Sequence, residues 1–454
     1  HIEMTPTTRF ISFKSLRYVF GICLSLYLGG CAQSPKPTQS VALPVSNIDI
    51  QGSSAEWRAI NRLTYGPTPA LLADIKLNGQ PKEWALNLLD AAHKASLQAP
   101  KLPPDLASIN DRLPLIFDGA RQEREAREHE LLAPLATRPF GAGNRAVAEE
   151  EDPFRTCFER DRDRILHASA FRRLAGKTQV FVFPQDHQRT RLTHALEVAQ
   201  VATAVSRALG LNVALTEAIA LGHDCGHGPG GHASEDALSP FIPEGFDHAV
   251  WGADVTLVPL NLCTETLDGI RNHSWSRPAP QTPEGEVVSW ADRIAYVCHD
   301  FEDAVATGIV SPSQLPDIVR TYCGETRSSQ LRAFISSMIG ASLHNGRVGM
   351  KSNEADALAA FRKFNYDNIY MREASRNQAK SVIDLLRALV EHYVAHPHLM
   401  ATQPQQEISP SHSEQALRDA VAYVGGMTDR FACRQGAALL GWEQSRLPQG
   451  IDTH

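Results

Sequence analysis

The chain has 454 residues, enough for two or three domains. Its 43% hydrophobic and 21% charged residues are ordinary for a globular protein, and a net charge of −7 gives no overall reason to bind nucleic acid, so an enzyme of anionic nucleotides needs a local basic cluster. Eight cysteines without a C-x-x-C pair argue against a zinc–thiolate site and against a disulfide scaffold.

Arg9, Lys14 and Arg17 precede an apolar run from Tyr18 to Leu28, which closes in Leu28-Gly-Gly-Cys31. A basic start, a short apolar core and small residues before a cut site make a secretory signal. The ending resembles a bacterial lipoprotein signal, in which the cysteine receives lipid. The run is short for a transmembrane helix, so membrane attachment through residues 1–31 depends on that signal. Residues 32–54, rich in Ser, Pro, Gln and Val, read as a linker. Residues 55–92 read as two short helices, the second capped by Thr68 with Pro69 in its first turn. This patch resembles the opening of an uncharacterised family of large exported bacterial proteins. Residues 93–120 read as a second, Pro-rich linker.

From Arg121 to Leu132 charges alternate as on a solvated helix face. Phe158 to Leu174 is a basic, amphipathic helical stretch. Lys177 to Phe183, β-branched and aromatic, reads as a short strand. In Arg191–Leu209 the apolar residues Leu192, Ala195, Val198, Ala199, Ala202, Val205 and Leu209 recur at three- and four-residue steps, which predicts a helix. A second, buried helix over Thr216–Gly222 and a third over Glu286–Thr307 follow. Helical periodicity continues at Leu331–Leu343, Glu354–Phe364, Arg372–Ala395 and Ser413–Leu440. The expected fold is all-α over residues 121–446: a helical bundle with a metal core at about 171–310 and additional C-terminal helices at about 311–446.

The second helix runs into Ala220-Leu-Gly-His-Asp-Cys-Gly-His-Gly-Pro-Gly-Gly-His-Ala-Ser-Glu-Asp236. His223, His227 and His232, with Asp224 and Glu235, fall among glycines that let the backbone turn sharply and approach a ligand. Imidazole offers neutral nitrogen ligands and proton transfer near neutral pH. With His194 on the first helix and Asp292 on the third, His223 and Asp224 make two imidazoles and two carboxylates delivered by three helices. That set can hold one divalent cation; mixed nitrogen and oxygen donors suit manganese, iron, nickel or zinc and tolerate magnesium. Arg293, beside Asp292, and Arg191, one turn before His194, can add positive charge for a triphosphate. Asp292, Tyr296 and Asp300 step by four and share one helix face.

This arrangement resembles that of the HD-domain phosphohydrolases and, within them, the dGTPase-like deoxynucleoside triphosphate triphosphohydrolases. The resemblance runs from about Leu131 to Trp442. It is carried by the stretch above and by Arg160-Asp-Arg-Asp-Arg-Ile-Leu-His, Phe171-Arg-Arg-Leu-Ala-Gly-Lys-Thr-Gln-Val-Phe, Arg191-Leu-Thr-His-Ala-Leu-Glu-Val-Ala-Gln, Asn261-Leu-Cys-Thr-Glu-Thr-Leu-Asp-Gly-Ile-Arg-Asn-His, Ala291-Asp-Arg-Ile-Ala-Tyr-Val-Cys-His-Asp and Gly425-Gly-Met-Thr-Asp-Arg-Phe-Ala. It implies hydrolysis of a dNTP to a deoxynucleoside and inorganic triphosphate, with one divalent metal ion per site. It implies His232 as the catalytic histidine, Glu235 as the carboxylate that orients it, and His248 as a further active-site histidine. His227 is assigned as a phosphate donor. Tyr296 and Asp300 are expected at the sugar, and Gln179 at the base or sugar. The resemblance also implies a homo-oligomer in the cytoplasm, which conflicts with the N-terminal signal.

Many relatives carry an aromatic residue where Gly230 stands, so the loop before His232 is expected to be more flexible here. Cys225 fills a variable position and is given no catalytic role. Two other functions fit the same residues: an HD phosphohydrolase of a nucleoside monophosphate, cyclic nucleotide or alarmone, and a non-catalytic nucleotide sensor or exported lipoprotein.

Overall fold

The computed structural model describes residues 55–56, 59, 69–77, 80–96, 120–184, 188–401 and 407–449. The lipoprotein-signal-like segment, the first linker, Thr68 and most of the second linker lie outside the described residues. The chain divides into two compact units, residues 1–111 and 112–454.

In the first unit the helix expected from Pro69 onward is divided into two, α1 (Pro69–Leu77) and α2 (Pro81–Ser96), and most of the helix expected before Thr68 lies outside the described residues. Leu72, Ile75 and Trp84 form their small buried cluster, and Trp84 donates its indole N–H to Asp74 at 2.7 Å.

The second unit is all-α among its described residues. It opens with α3 (Arg121–Leu131), α4 (Cys157–His167) and α5 (Ser169–Arg173). The helix α3 is not merely a solvated face. Arg121 and Arg124 are buried, and they pair with Glu125 and Glu151 and with Glu159 respectively. Next come α6 (Arg191–Leu209), α7 (Val213–Gly222), α8 (Ala233–Leu238), α9 (His248–Trp251), α10 (Thr264–Arg271) and α11 (Pro283–Ala306). Local chemistry sets these boundaries. Thr190 caps α6, Asn212 Oδ1 accepts from Leu215 N at 3.1 Å to cap α7, and Thr282 caps α11 just before Pro283. The apolar α7 is enclosed by α4, α6, α10 and α11, so both residues that end it are held deep in the fold.

The remaining helices are α12 (Asp317–Cys323), α13 (Arg327–Asn345), α14 (Ser352–Asn365), α15 (Glu373–Ala395), α16 (Glu414–Gly425) and α17 (Asp429–Leu440). The stretch read as continuous over Ser413–Leu440 breaks at Gly426–Thr428 into α16 and α17. The break lets Asp429 begin a new helix facing the histidine loop. Two apolar cores result. The larger gathers α4, α6, α7, α11, α13 and α14. The smaller gathers α8, α15, α16 and α17 through Leu238, Val382, Leu386, Val421, Val424 and Ala432.

The expected strand at Lys177–Phe183 is absent: the segment is a run of bends with a single bridge, Thr178 to Thr190. Its β-branched and aromatic residues are accounted for by burial instead. Phe181 and Val182 are buried, Val182 within the smaller core.

Candidate active site

The helices α6, α7 and α11 bring four predicted ligands together. His194 Nε2 lies 3.0 Å from Asp292 Oδ1 and 3.9 Å from Asp224 Oδ2. His223 Nε2 lies 3.5 Å from Asp224 Oδ2 and 3.7 Å from Asp292 Oδ1. Donors bound at about 2.0–2.2 Å to one cation stand roughly 3 to 4 Å from each other, so these spacings fit a common ion. His223 is already set for that task. Its Nδ1 faces the Ala220 carbonyl oxygen at 2.7 Å and so carries the proton, while Nε2 is buried without a hydrogen-bond partner and presents a lone pair. Burial opposes ionisation of both carboxylates. Arg191 and the histidines nevertheless hold Asp224 well below its ordinary range, and His194 and His223 do the same for Asp292. Both are thus anionic at neutral pH, as cation ligands must be.

Asp224 looks two ways. Its Oδ2 accepts from Arg191 Nη1 at 2.8 Å and faces His194 and His223. Its Oδ1 lies 3.2 Å from His227 Nε2 and 3.9 Å from His248 Nε2. The chain reaches this second side through a turn that only glycine permits at 226, where a Cβ would meet the His248 carbonyl oxygen at 1.9 Å. His227 stacks on His248 with ring centroids 3.7 Å apart, and His232 stands 5.1 Å from His227. Glu235 accepts from His248 Nδ1 at 2.5 Å and from the His248 backbone N–H at 3.1 Å, so its hydrogen bonds serve His248 rather than His232. His232 is exposed to solvent at the end of the loop. The protein around it, then Arg191, push its imidazole down to about 4.

The loop from His227 to His232 is held rather than loose. Lys177, buried, donates to the His227 and Gly425 carbonyl oxygens, the latter at 3.0 Å. Asp429 accepts from Gly230 N at 2.8 Å and from Thr178 Oγ1 at 2.6 Å. Gly230 adopts φ +74°, and a Cβ there would meet Val382 Cγ1 at 2.5 Å. The expectation of extra flexibility at Gly230 is corrected on these grounds. The missing side chain leaves room for close packing of α15, and the backbone is tied to α17.

Residues 191–297 match the HD domain, and residues 348–438 match the phosphohydrolase-associated domain. A deoxyguanosinetriphosphate triphosphohydrolase-like protein of Caldanaerobacter subterraneus subsp. tengcongensis is 38% identical over 335 residues, which cover 72% of this chain and 96% of that protein. Proteins of the same description from Desulfatibacillum aliphaticivorans and Clostridium perfringens are 36% and 39% identical, covering 69% and 63% of this chain and 95% and 87% of their own length. The chain belongs to the dGTPase-like family of HD-domain phosphohydrolases.

In this dGTPase-like protein the predicted substrate residues are distributed unevenly. Arg191 is buried, with Nε on the Thr178 carbonyl oxygen at 3.0 Å, Nη1 on Asp224, and Nη2 without a partner. Arg293, beside Asp292, is buried. Its Nη1 donates to the Ser289 carbonyl oxygen at 2.5 Å, and its guanidinium stacks over Trp275 at 3.8 Å. Tyr296 is half-buried, and burial pushes its phenol up to about 12. Asp300 is buried; it accepts from Tyr370 Oη at 2.5 Å, while its Oδ1 has no partner. Gln179 Oε1 is likewise buried without one. Sequence reasoning missed His273, Lys177, Tyr370 and Asp429. Lys177, His273 and Asp429 sit inside motif blocks, but their partners lie 248, 25 and 199 residues away, and no spacing signals such pairs.

Proposed function

We propose that the chain hydrolyses a deoxynucleoside triphosphate to the deoxynucleoside and inorganic triphosphate. The observation that carries the reading is Asp224, whose two oxygens join a four-donor cation site to a histidine cluster. The relatives described as dGTP triphosphohydrolase-like support the choice of substrate class.

Water oxygen bonds to the α-phosphorus, the bond from that phosphorus to the 5′ oxygen breaks, and the leaving alkoxide takes a proton. A divalent cation held by His194, His223, Asp224 and Asp292 supplies Lewis acidity at the α-phosphate and an acidified water. The free Nη2 of Arg191 donates to a phosphate oxygen, and its bond to Asp224 fixes its direction. His227, with its Nε2–H on Asp224 Oδ1, holds that carboxylate in place. His232 gives the proton to the 5′ oxygen. Its imidazole sits low, at about 4, without ligand. A polyanionic triphosphate beside it raises that value, so substrate binding itself prepares the acid. Asp300, with its unpartnered oxygen, accepts from the 3′-hydroxyl, and Tyr296 crowds the 2′ carbon against ribose.

The test is incubation of the chain with each dNTP and manganese, followed by anion-exchange separation of the products. Deoxynucleoside and inorganic triphosphate are expected. Release of orthophosphate or pyrophosphate would instead place the chain among HD enzymes of other nucleotides, and no turnover would make it a binding protein.

A further inference from the structure

Two buried thiols stand apart from the cation quartet and the histidine loop. Cys157 is the first residue of α4, and Cys263 stands just before α10. Their sulfurs converge on Gly143. A Cβ at that glycine would meet Cys263 Sγ at 2.5 Å and Cys157 Sγ at 3.3 Å, and its φ of +87° is one that side chains rarely adopt. The two thiols share a hydrogen bond. Polar contacts fix the backbone on both sides of the pair. Asp161 Oδ2 accepts from Cys263 N at 2.8 Å, and its Oδ1 accepts from Arg145 Nη1 at 2.6 Å. Arg145 Nη2 in turn donates to the Cys157 carbonyl oxygen at 3.0 Å.

The pair is asymmetric. The bond from the Cys263 thiol holds Cys157 below the usual cysteine range, and the Phe140 N–H and the Arg145 guanidinium act in the same direction against burial. The same bond, together with burial, holds Cys263 above that range. Burial also raises the other described cysteines, Cys225, Cys298, Cys323 and Cys433. The thiolate is the attacking form of cysteine, so among the described residues Cys157 is the thiol disposed to react. It has access as well. With Phe140, Gly143 and Glu265, Cys157 lines a surface cavity of about 370 Å³, roomy enough for a molecule little larger than water.

We propose that Cys157 and Cys263 form a reversible oxidation site, which takes a small hydroperoxide and closes to a disulfide between the start of α4 and the start of α10. The Cys157 thiolate attacks one peroxide oxygen and the O–O bond breaks, leaving a sulfenic acid on Cys157 and a hydroxide. The Cys263 sulfur then attacks the sulfenic sulfur. The S–S bond forms, and the sulfenic oxygen leaves as water with the Cys263 proton. Two thiols lose two electrons and two protons, and the peroxide becomes two waters. Both tied helices pack on α7, the helix that ends in His223 and Asp224, so the link closes behind the cation site rather than within it. The inference requires no particular substrate.

The probe is hydrogen peroxide. The full chain, reduced and desalted, is treated with a slight excess, alkylated under denaturing conditions and digested without reductant for mass spectrometry. Peptides joined through Cys157 and Cys263 are expected in most chains, lighter by two hydrogens than the separate pair, and dithiothreitol should release them. Cys263→Ser should lose the link and leave a Cys157 sulfenic acid that dimedone traps. Cys157 and Cys263 both alkylated in the treated unaltered chain, or Cys157 carried on to sulfinic acid without a link, would overturn the proposal. So would oxidation of Cys225, Cys298, Cys323 or Cys433 ahead of the pair. Because the link is read on the unaltered chain, the result stands even if the variant misfolds. Triphosphate release would survive that failure, so the two readings fall separately.

Discussion

The two halves of the site are held in different ways. His194, His223, Asp224 and Asp292 project from α6, the end of α7, and α11, which belong to one large core. His227, His232 and Glu235 lie on the loop and short helix that leave this core and enter the smaller one through α8. The first half is positioned by packing of helix faces. The second is positioned by a few long-range hydrogen bonds, from Lys177 and to Asp429. Packed helices resist single substitutions, whereas a loop hung on two polar residues does not. Substitutions in the two halves should therefore affect cation binding and acid positioning separately.

The largest effect is expected in the quartet. Asp292→Ala should abolish cation binding and reduce dNTP turnover by roughly 10³-fold or more, with helical circular dichroism retained. His232→Ala should cost about 10²- to 10⁴-fold in kcat while metal content, read by elemental analysis, stays at the unaltered level. Loss of metal in that variant would join the two halves into one. Asp429→Ala strands the Gly230 N–H and the Thr178 hydroxyl. It should lower stability by about 1–3 kcal/mol and reduce kcat with metal content unchanged, since the loop loses its tie to α17. Gly230→Ala forces a side chain into positive φ against Val382, at a cost of about 1–2 kcal/mol in thermal unfolding. The double variant with Val382→Ala should recover the steric part only.

The smallest expected effect is one of pH. Burial raises the Asp300 carboxyl to about 7, above its value in the unfolded chain. The folded state then keeps a proton that the unfolded state has lost, so stability contributed by Asp300 is present below about pH 4 and is lost as pH rises through about 7. Denaturant midpoints between those limits should flatten in Asp300→Asn relative to the unaltered chain.

Much of this was legible in the sequence. The three- and four-residue apolar steps of Arg191–Leu209 gave α6 with its bounds, and the order of His194, His223, Asp224 and Asp292 on three helices pointed to four residues that the fold does bring together. The helix faces carry that information locally. What lay out of reach depends on contacts between distant segments. Lys177–Phe183 has the composition of a strand, yet its apolar side chains are absorbed by burial between helices and only one bridge forms. Gly230 read as a loose point because Val382 and Asp429 are unseen from the loop itself. The family resemblance made Glu235 the partner of His232, while in the fold its hydrogen bonds go to His248. His273 carried no signal, since its meaning lies in a ring 25 residues upstream.

The most direct test of the central claim is where solvent oxygen ends up. With dGTP and manganese in oxygen-18-labelled water, attack at the α-phosphorus places one label in the inorganic triphosphate and none in deoxyguanosine. Label in orthophosphate or pyrophosphate, or in the 5′-hydroxyl of the nucleoside, would contradict it.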